Sequence, residues 1–160
     1  MSDTKKGDIV RQNSADQIGA ILFACNINAV RSAMAETMVK DAFPGKIFVD
    51  SCGVTPGIQD GFATAVMQEI GLDMSAHQPK SFDDLDSGFY DVIISFSPEA
   101  HAAAEALTQN MDCATFYWPV DNLANLTGSR EEMLRAYRHV RDDIRNKLSI
   151  YFGKPIAGNT

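Results

Sequence analysis

Cys25 is followed six residues later by Arg31, and Arg31 directly by Ser32. A thiolate is a nucleophile, and a guanidinium grips phosphate-like oxyanions through a planar, bidentate fork. Such a pair works only if a frame holds an anion in front of the sulfur. The flanking residues supply that frame. Ala20-Ile21-Leu22-Phe23-Ala24 is a short apolar run that reads as a buried strand, and Met34, Val39, Ala42 and Phe43 then fall near helical spacing. Cys25 is therefore expected where a strand ends, with Arg31-Ser32 opening a helix. A strand–loop–helix turn collects backbone N–H groups that have no partner inside the helix, and those donors favour an anion in the loop. The same field favours the thiolate of Cys25. Residues Asn26, Ile27, Asn28, Ala29, Val30, Arg31 and Ser32 are the expected oxyanion binders, and Ser32 can donate a hydrogen bond to the thiolate. On spacing alone, Cys25 also fits a small core residue at a strand end.

The chain has 160 residues, enough for one domain with a substantial core. Its 45% apolar and 22% charged residues are ordinary for a globular protein. A net charge of −7 argues against a nucleic-acid face, for which a basic stripe is expected. It leaves an anionic substrate open, because the field of the loop is local. Three cysteines, Cys25, Cys52 and Cys113, do not make a disulfide framework, and His77, His101 and His139 stand apart from any zinc-like cluster. No metal and no cofactor is called for. Residues 1–17 are polar, without the apolar core of a signal peptide, and read as a flexible tail. No run approaches a membrane span. A reducing cytoplasm is the expected compartment, with no nucleic-acid or membrane partner.

The elements that must position the pair alternate along the chain. The first helix is expected to end at Pro44-Gly45. Residues 46–51 read as a second strand. The Gly- and Pro-rich stretch 53–60 reads as a loop, and Phe62, Val66 and Ile70 form a helix stripe closed by Gly71. Residues 81–85 suggest a short helix and residues 91–96 a third strand. Ser97-Pro98-Glu99 opens a helix running to about Gln109. Residues 114–118 read as a fourth strand. Ser129-Arg130-Glu131-Glu132 fits a capping box, and Met133, Tyr137, Val140, Ile144 and Leu148 mark a long amphipathic helix. Four alternations without internal repeats predict an α/β protein: one open parallel sheet with helices on both faces. Ligands in such sheets bind beyond the carboxyl ends of the strands, where Cys25 is expected.

Cys25 to Glu36 resembles the C-x5-R-S signature of the low-molecular-weight protein tyrosine phosphatases, a family that includes thioredoxin-coupled arsenate reductases. Asn28, Arg31, Ser32, Met34, Ala35 and Glu36 are in register; Ile27 stands where the family usually has Gly, Val30 where it often has Cys, and Ala33 where it often has Pro. The resemblance runs from about Ile18 to about Leu148. It implies strand order 2-1-3-4, a phosphatase-like domain over residues 18–152, and a short C-terminal tail from 153 to 160. It further implies that Asn28, Ser32, Ser51 and His77 form a buried polar network supporting the loop, with Asn28 tolerating a left-handed conformation.

The resemblance also implies a general acid, in family members usually within Asp-Pro, on the loop before the last helix. The acid there in this chain is Asp121, followed by Asn122 instead of Pro; Asp112, before the strand, is a poorer candidate. The aromatic pocket walls of the family have no counterpart at Asn122-Leu123 or Gly57-Ile58-Gln59. The expected activity is hydrolysis of a phosphorylated protein or small phosphomonoester through a cysteinyl-phosphate, with Cys25, Arg31 and Asp121 as the catalytic residues. The alternatives are arsenate reduction with an external thiol, since no cysteine pair follows the third strand, and a non-catalytic oxyanion- or phosphoprotein-binding module.

Overall fold

The computed structural model describes residues 18–157. The expected N-terminal tail, and the last three residues of the expected C-terminal one, lie outside the described residues. The strands are β1 (Ala20–Ile27), β2 (Phe48–Thr55), β3 (Val92–Ser95) and β4 (Ala114–Tyr117). The helices are α1 (Arg31–Ala42), α2 (Gly61–Gln68), α3 (Pro98–Leu107) and α4 (Arg130–Phe152), with 3-10 turns at Phe82–Asp84 and Ser87–Phe89. The sheet is four-stranded in the order β2-β1-β3-β4, and every pairing is parallel. This is the predicted α/β architecture and strand order. Among the described residues no helix is long and apolar enough to cross a membrane.

Because side chains alternate along a strand, β1 buries two sets of residues on opposite faces. Ile21, Phe23 and Cys25 join the larger core, built with Met34 and Met38 of α1, Val66 and Met67 of α2, and Ile144 and Leu148 of α4. Ala20, Leu22 and Ala24 face the smaller core, where Ala100 and Ala104 of α3 pack with Cys52 and Ile93. Two alanines on one helix face let α3 lie close against the sheet.

The caps follow the sequence. Ser97 accepts from Ala100 N at 3.1 Å, with Pro98 in the first turn of α3. Ser129 and Glu132 cap α4 reciprocally, Ser129 N donating to Glu132 Oε1 at 2.8 Å. At the far end Gly153 takes φ 69°, the left-handed exit that glycine adopts without steric cost. The chain then folds back, Ile156 N donates to Ser149 Oγ at 3.1 Å, and the Ile156 side chain is fully buried. The expected tail therefore begins with a segment packed on the core.

Several boundaries moved. α1 ends at Ala42, with Phe43 N still bonded to Val39 O at 3.0 Å, before Pro44 is reached. β1 was expected to stop at Ala24 but runs to Ile27, and β2 runs to Thr55 instead of Ser51. The cause is mutual pairing, with Cys25 opposite Gly53 and Ile27 opposite Thr55. Gly53 permits it: a Cβ there would sit 2.6 Å from Asn28 N and 2.7 Å from Thr55 O. A partner strand of this kind leaves no mark in local composition.

Candidate active site

Cys25 lies two residues before the end of β1, with its side chain on the larger core's face and almost fully buried. Its Sγ is 2.9 Å from Ser32 Oγ, in the first turn of α1. The Ser32 hydroxyl also reaches Cys52 O at 3.3 Å, so its one proton has two acceptors, and the sulfur is the nearer.

Asn28 organises the turn between β1 and α1. It is fully buried and uses every polar atom of its side chain. Nδ2 donates to Ser32 Oγ at 2.8 Å and to Ser51 Oγ at 2.9 Å, while Oδ1 accepts from Lys80 N at 3.1 Å. Its carbonyl accepts from His77 Nε2 at 2.8 Å. The four residues expected to support the loop are thus one connected network. Asn28, a residue type that tolerates a left-handed backbone, does not use one: among the described residues Ala157 is the one non-glycine with positive φ. Continued pairing of β1 through Ile27 holds the backbone extended into the turn, and Ala29 N turns back onto Ile27 O.

The network reaches one residue that sequence reasoning used only as a marker of resemblance. Ser51 Oγ donates to Glu36 Oε1, Lys40 Nζ lies 2.5 Å from Glu36 Oε2, and His77 Nδ1 is 3.7 Å from Glu36 Oε1. A buried carboxylate is stable only with such partners. Its position one turn beyond Ser32 on α1 was the available signal.

Arg31 opens α1 and is buried. Its Nη1 donates to Phe96 O and to Val120 O, each at 3.0 Å. These carbonyls follow β3 and β4, so the guanidinium is pinned across the carboxyl end of the sheet. Burial lowers its pKa, against the opposing pull of Cys25, Glu99, Tyr117 and Asp121. An arginine starts so high that it stays charged. Asn26 is tied to the next element, accepting from Ser97 Oγ at 2.5 Å.

A cavity of about 550 Å³ opens in front of Cys25 and Arg31. Asn26, Ile27, Ala29 and Val30 also line it. Its outer wall is apolar, with Ile58, Leu123, Leu126 and Met133, and it carries two aromatic rings, Phe62 of α2 and Tyr137 of α4. Sequence periodicity assigned both rings to core stripes; they are packed 5.4 Å apart between centroids and form the pocket wall as well. Asp60, also in the wall, caps α2: Oδ1 accepts from Phe62 N at 2.9 Å and Ala63 N at 3.1 Å, and Oδ2 accepts from the Tyr137 hydroxyl at 2.7 Å. Burial, and then this bond to Asp60, raise the pKa of the Tyr137 phenol.

Asp121 is not in the wall of that cavity. It lines a neighbouring one of about 360 Å³, together with Glu99, Ser97 and Tyr117. Asn26, Arg31 and Asn122 line both cavities. From this loop Asn122, Leu123, Ala124 and Leu126 line the Cys25 cavity, beginning one position on from the acid the sequence pointed to.

The other thiols lie beyond the sheet. Cys52 pairs with Ala24 in register and packs in the smaller core, and Cys113 packs against that same core. Burial, reinforced by Cys25 and Asp50, pushes the Cys52 thiol far above its usual range, and burial beside Asp91 and Asp112 pushes Cys113 up to about 11.

A buried arginine set behind a strand-end thiol, at the switch point of a 2-1-3-4 parallel sheet, defines an α/β protein built around a cysteine–arginine loop. Residues 20–154 match the model of the low molecular weight phosphotyrosine protein phosphatase family, and the chain belongs to that family. The curated relatives it matches are named as arsenate reductases. It is 28% identical over 131 residues to the arsenate reductase of Halalkalibacterium halodurans, covering 82% of this chain and 93% of that one. It is 37% identical over 75 residues to the glutaredoxin arsenate reductase of a Synechocystis species, a match spanning 47% of this chain and 57% of that protein. Among solved structures, the tyrosine phosphatase AmsI of Erwinia amylovora superimposes with a TM-score of 0.72 at 18% identity, over 85% of this chain and 92% of that one.

Proposed function

We propose that the protein is a phosphomonoester hydrolase in which Cys25 forms a cysteinyl-phosphate. The observation that carries this reading is the cavity: about 550 Å³ with an apolar, two-ring wall beside the thiol and guanidinium. A bare inorganic oxyanion needs far less room. An organic group attached to a phosphate fills it. Cys25 Sγ attacks phosphorus as the P–O bond to the leaving group breaks, and the electron pair departs with that oxygen. Ser32 donates to the sulfur, and Arg31 holds the equatorial oxygens with the nitrogens not anchored to Phe96 and Val120. Water then cleaves the S–P bond, releasing phosphate and restoring the thiolate. Asp121, in the neighbouring cavity, favours the charged guanidinium. Release of phosphate from p-nitrophenyl phosphate tests the reading; no release, or release that persists in Cys25→Ser, overturns it.

A second reading is arsenate reduction, favoured by the names of the curated relatives. Two thiols must supply the two electrons that take As(V) to As(III), and both other cysteines sit across the sheet from Cys25. The second thiol would have to come from outside, leaving a mixed disulfide on Cys25. Arsenite formation that requires an added small thiol, with no phosphate-ester hydrolysis, would select this reading.

A further inference from the structure

Among the described residues lining the Cys25 cavity, none is a free acid for a leaving group, and this bears on what the protein can hydrolyse. Of the described residues lining it, the carboxylate is Asp60, and both of its oxygens already accept hydrogen bonds. The Tyr137 hydroxyl gives its proton to Asp60, and its pKa is raised. Asp121 lines the neighbouring cavity. Of the loop residues that line the Cys25 cavity, Asn122, Leu123, Ala124 and Leu126, the one with a polar side chain is Asn122. Asn122 Oδ1 accepts from Ala124 N at 3.0 Å, so its Nδ2 is the side chain's remaining donor. An amide can donate a hydrogen bond to an oxyanion, but it cannot surrender a proton to a departing oxygen.

Resting on the phosphatase reading above, the geometry points to a substrate whose leaving group departs as a stable anion: an acyl phosphate, or the phosphate of an acidic phenol, bearing an apolar body. The S–P bond forms, the P–O bond breaks, and the carboxylate or phenoxide leaves with the electron pair and without a proton from the protein. The body of such a substrate fits the wall of Ile58, Leu126, Met133, Phe62 and Tyr137. Asn122 is the specificity-determining residue, a lining side chain that can donate a hydrogen bond but cannot act as an acid.

The test is the dependence of kcat/KM on leaving-group acidity. Aryl phosphates of graded phenol pKa, with benzoyl phosphate at the acidic end and phosphotyrosine at the other, serve as probes. The wild-type rate is expected to fall steeply along the series, with phosphotyrosine at least about 10²-fold below p-nitrophenyl phosphate, the usual worth of a general acid. Asn122→Asp keeps an acceptor for Ala124 N, so the turn is preserved. It is expected to raise the phosphotyrosine rate by about 10²-fold or more, to flatten the series, and to add an alkaline limb to the pH profile. Asp121→Asn is expected to move all substrates alike. A flat series in the wild type overturns the inference. So does an Asn122→Asp variant with an unchanged slope, or a steeper slope in Asp121→Asn, which would make Asp121 the acid. If neither benzoyl nor p-nitrophenyl phosphate is turned over, the phosphatase reading falls and this inference with it. If both are turned over with no leaving-group dependence, the inference alone falls.

Discussion

On the proposed covalent route Arg31 and Cys25 divide the work of the site, and single substitutions separate their parts. Cys25→Ser keeps a small polar atom near Ser32 Oγ but replaces the sulfur nucleophile with a weaker hydroxyl. Turnover should vanish while inorganic phosphate or vanadate still binds, as measured by calorimetry; appreciable residual hydrolysis would refute the covalent route. Arg31→Lys loses more than a charge contact. An ammonium cannot reach both the Phe96 and Val120 carbonyls while presenting a planar fork to the anion. A fall in kcat/KM of about 10²–10³-fold, the range for losing an oxyanion donor, is expected in steady-state assays. Wild-type kinetics would show that Arg31 is not the clamp. At this scale the sequence was most informative about the pair itself, because a thiol and a guanidinium at fixed spacing between a strand and a helix imply their own geometry. It was least informative at Asp121 and Asn122. Neighbouring residues in an irregular loop point in directions that no periodicity fixes, so choosing the acid by type selected the residue that faces the adjoining cavity.

The elements show why the boundaries near the site were hard to read. Apolar runs locate the buried parts of β1 and β3, but the extensions of β1 to Ile27 and of β2 to Thr55 come from pairing with each other. Their meeting depends on Gly53, where a Cβ would press on the backbone of Asn28 and Thr55. Gly53→Ala should therefore part the strand tips and disturb the Asn28 turn, at a cost of about 1–3 kcal/mol by analogy with overpacked interiors. Denaturant unfolding gives the stability change, and kcat should fall with it; an unchanged midpoint and rate would show that the tips relax freely. The same scale explains Phe62 and Tyr137. Their spacing on α2 and α4 marked them correctly as inward-facing. That they also wall a cavity depends on how those helices approach β1, which only the packed structure contains.

In the molecule as a whole, the sheet separates the cysteines. Cys25 faces the larger core and its cavity, whereas Cys52 and Cys113 belong to the opposite side. Cys52 is the next residue along β2 from Ser51, which belongs to the network supporting the loop. The next residue along a strand points the other way. Mild peroxide is therefore expected to yield sulfenic and higher acids at Cys25 with no bridge to Cys52 or Cys113, read by peptide mass spectrometry. A dominant internal disulfide would mean that the sheet opens in solution.

That partition also sets how the protein fails. An enzyme with a second thiol beside its nucleophile behaves as a resettable switch, parking its damage in a bond it can later undo. If Cys25 is the nucleophile as proposed, its spare thiols across the sheet make this one a fuse. Each oxidised copy stays silent until a thiol from outside reaches into the cavity, so its working fraction reports on the surrounding reductant supply.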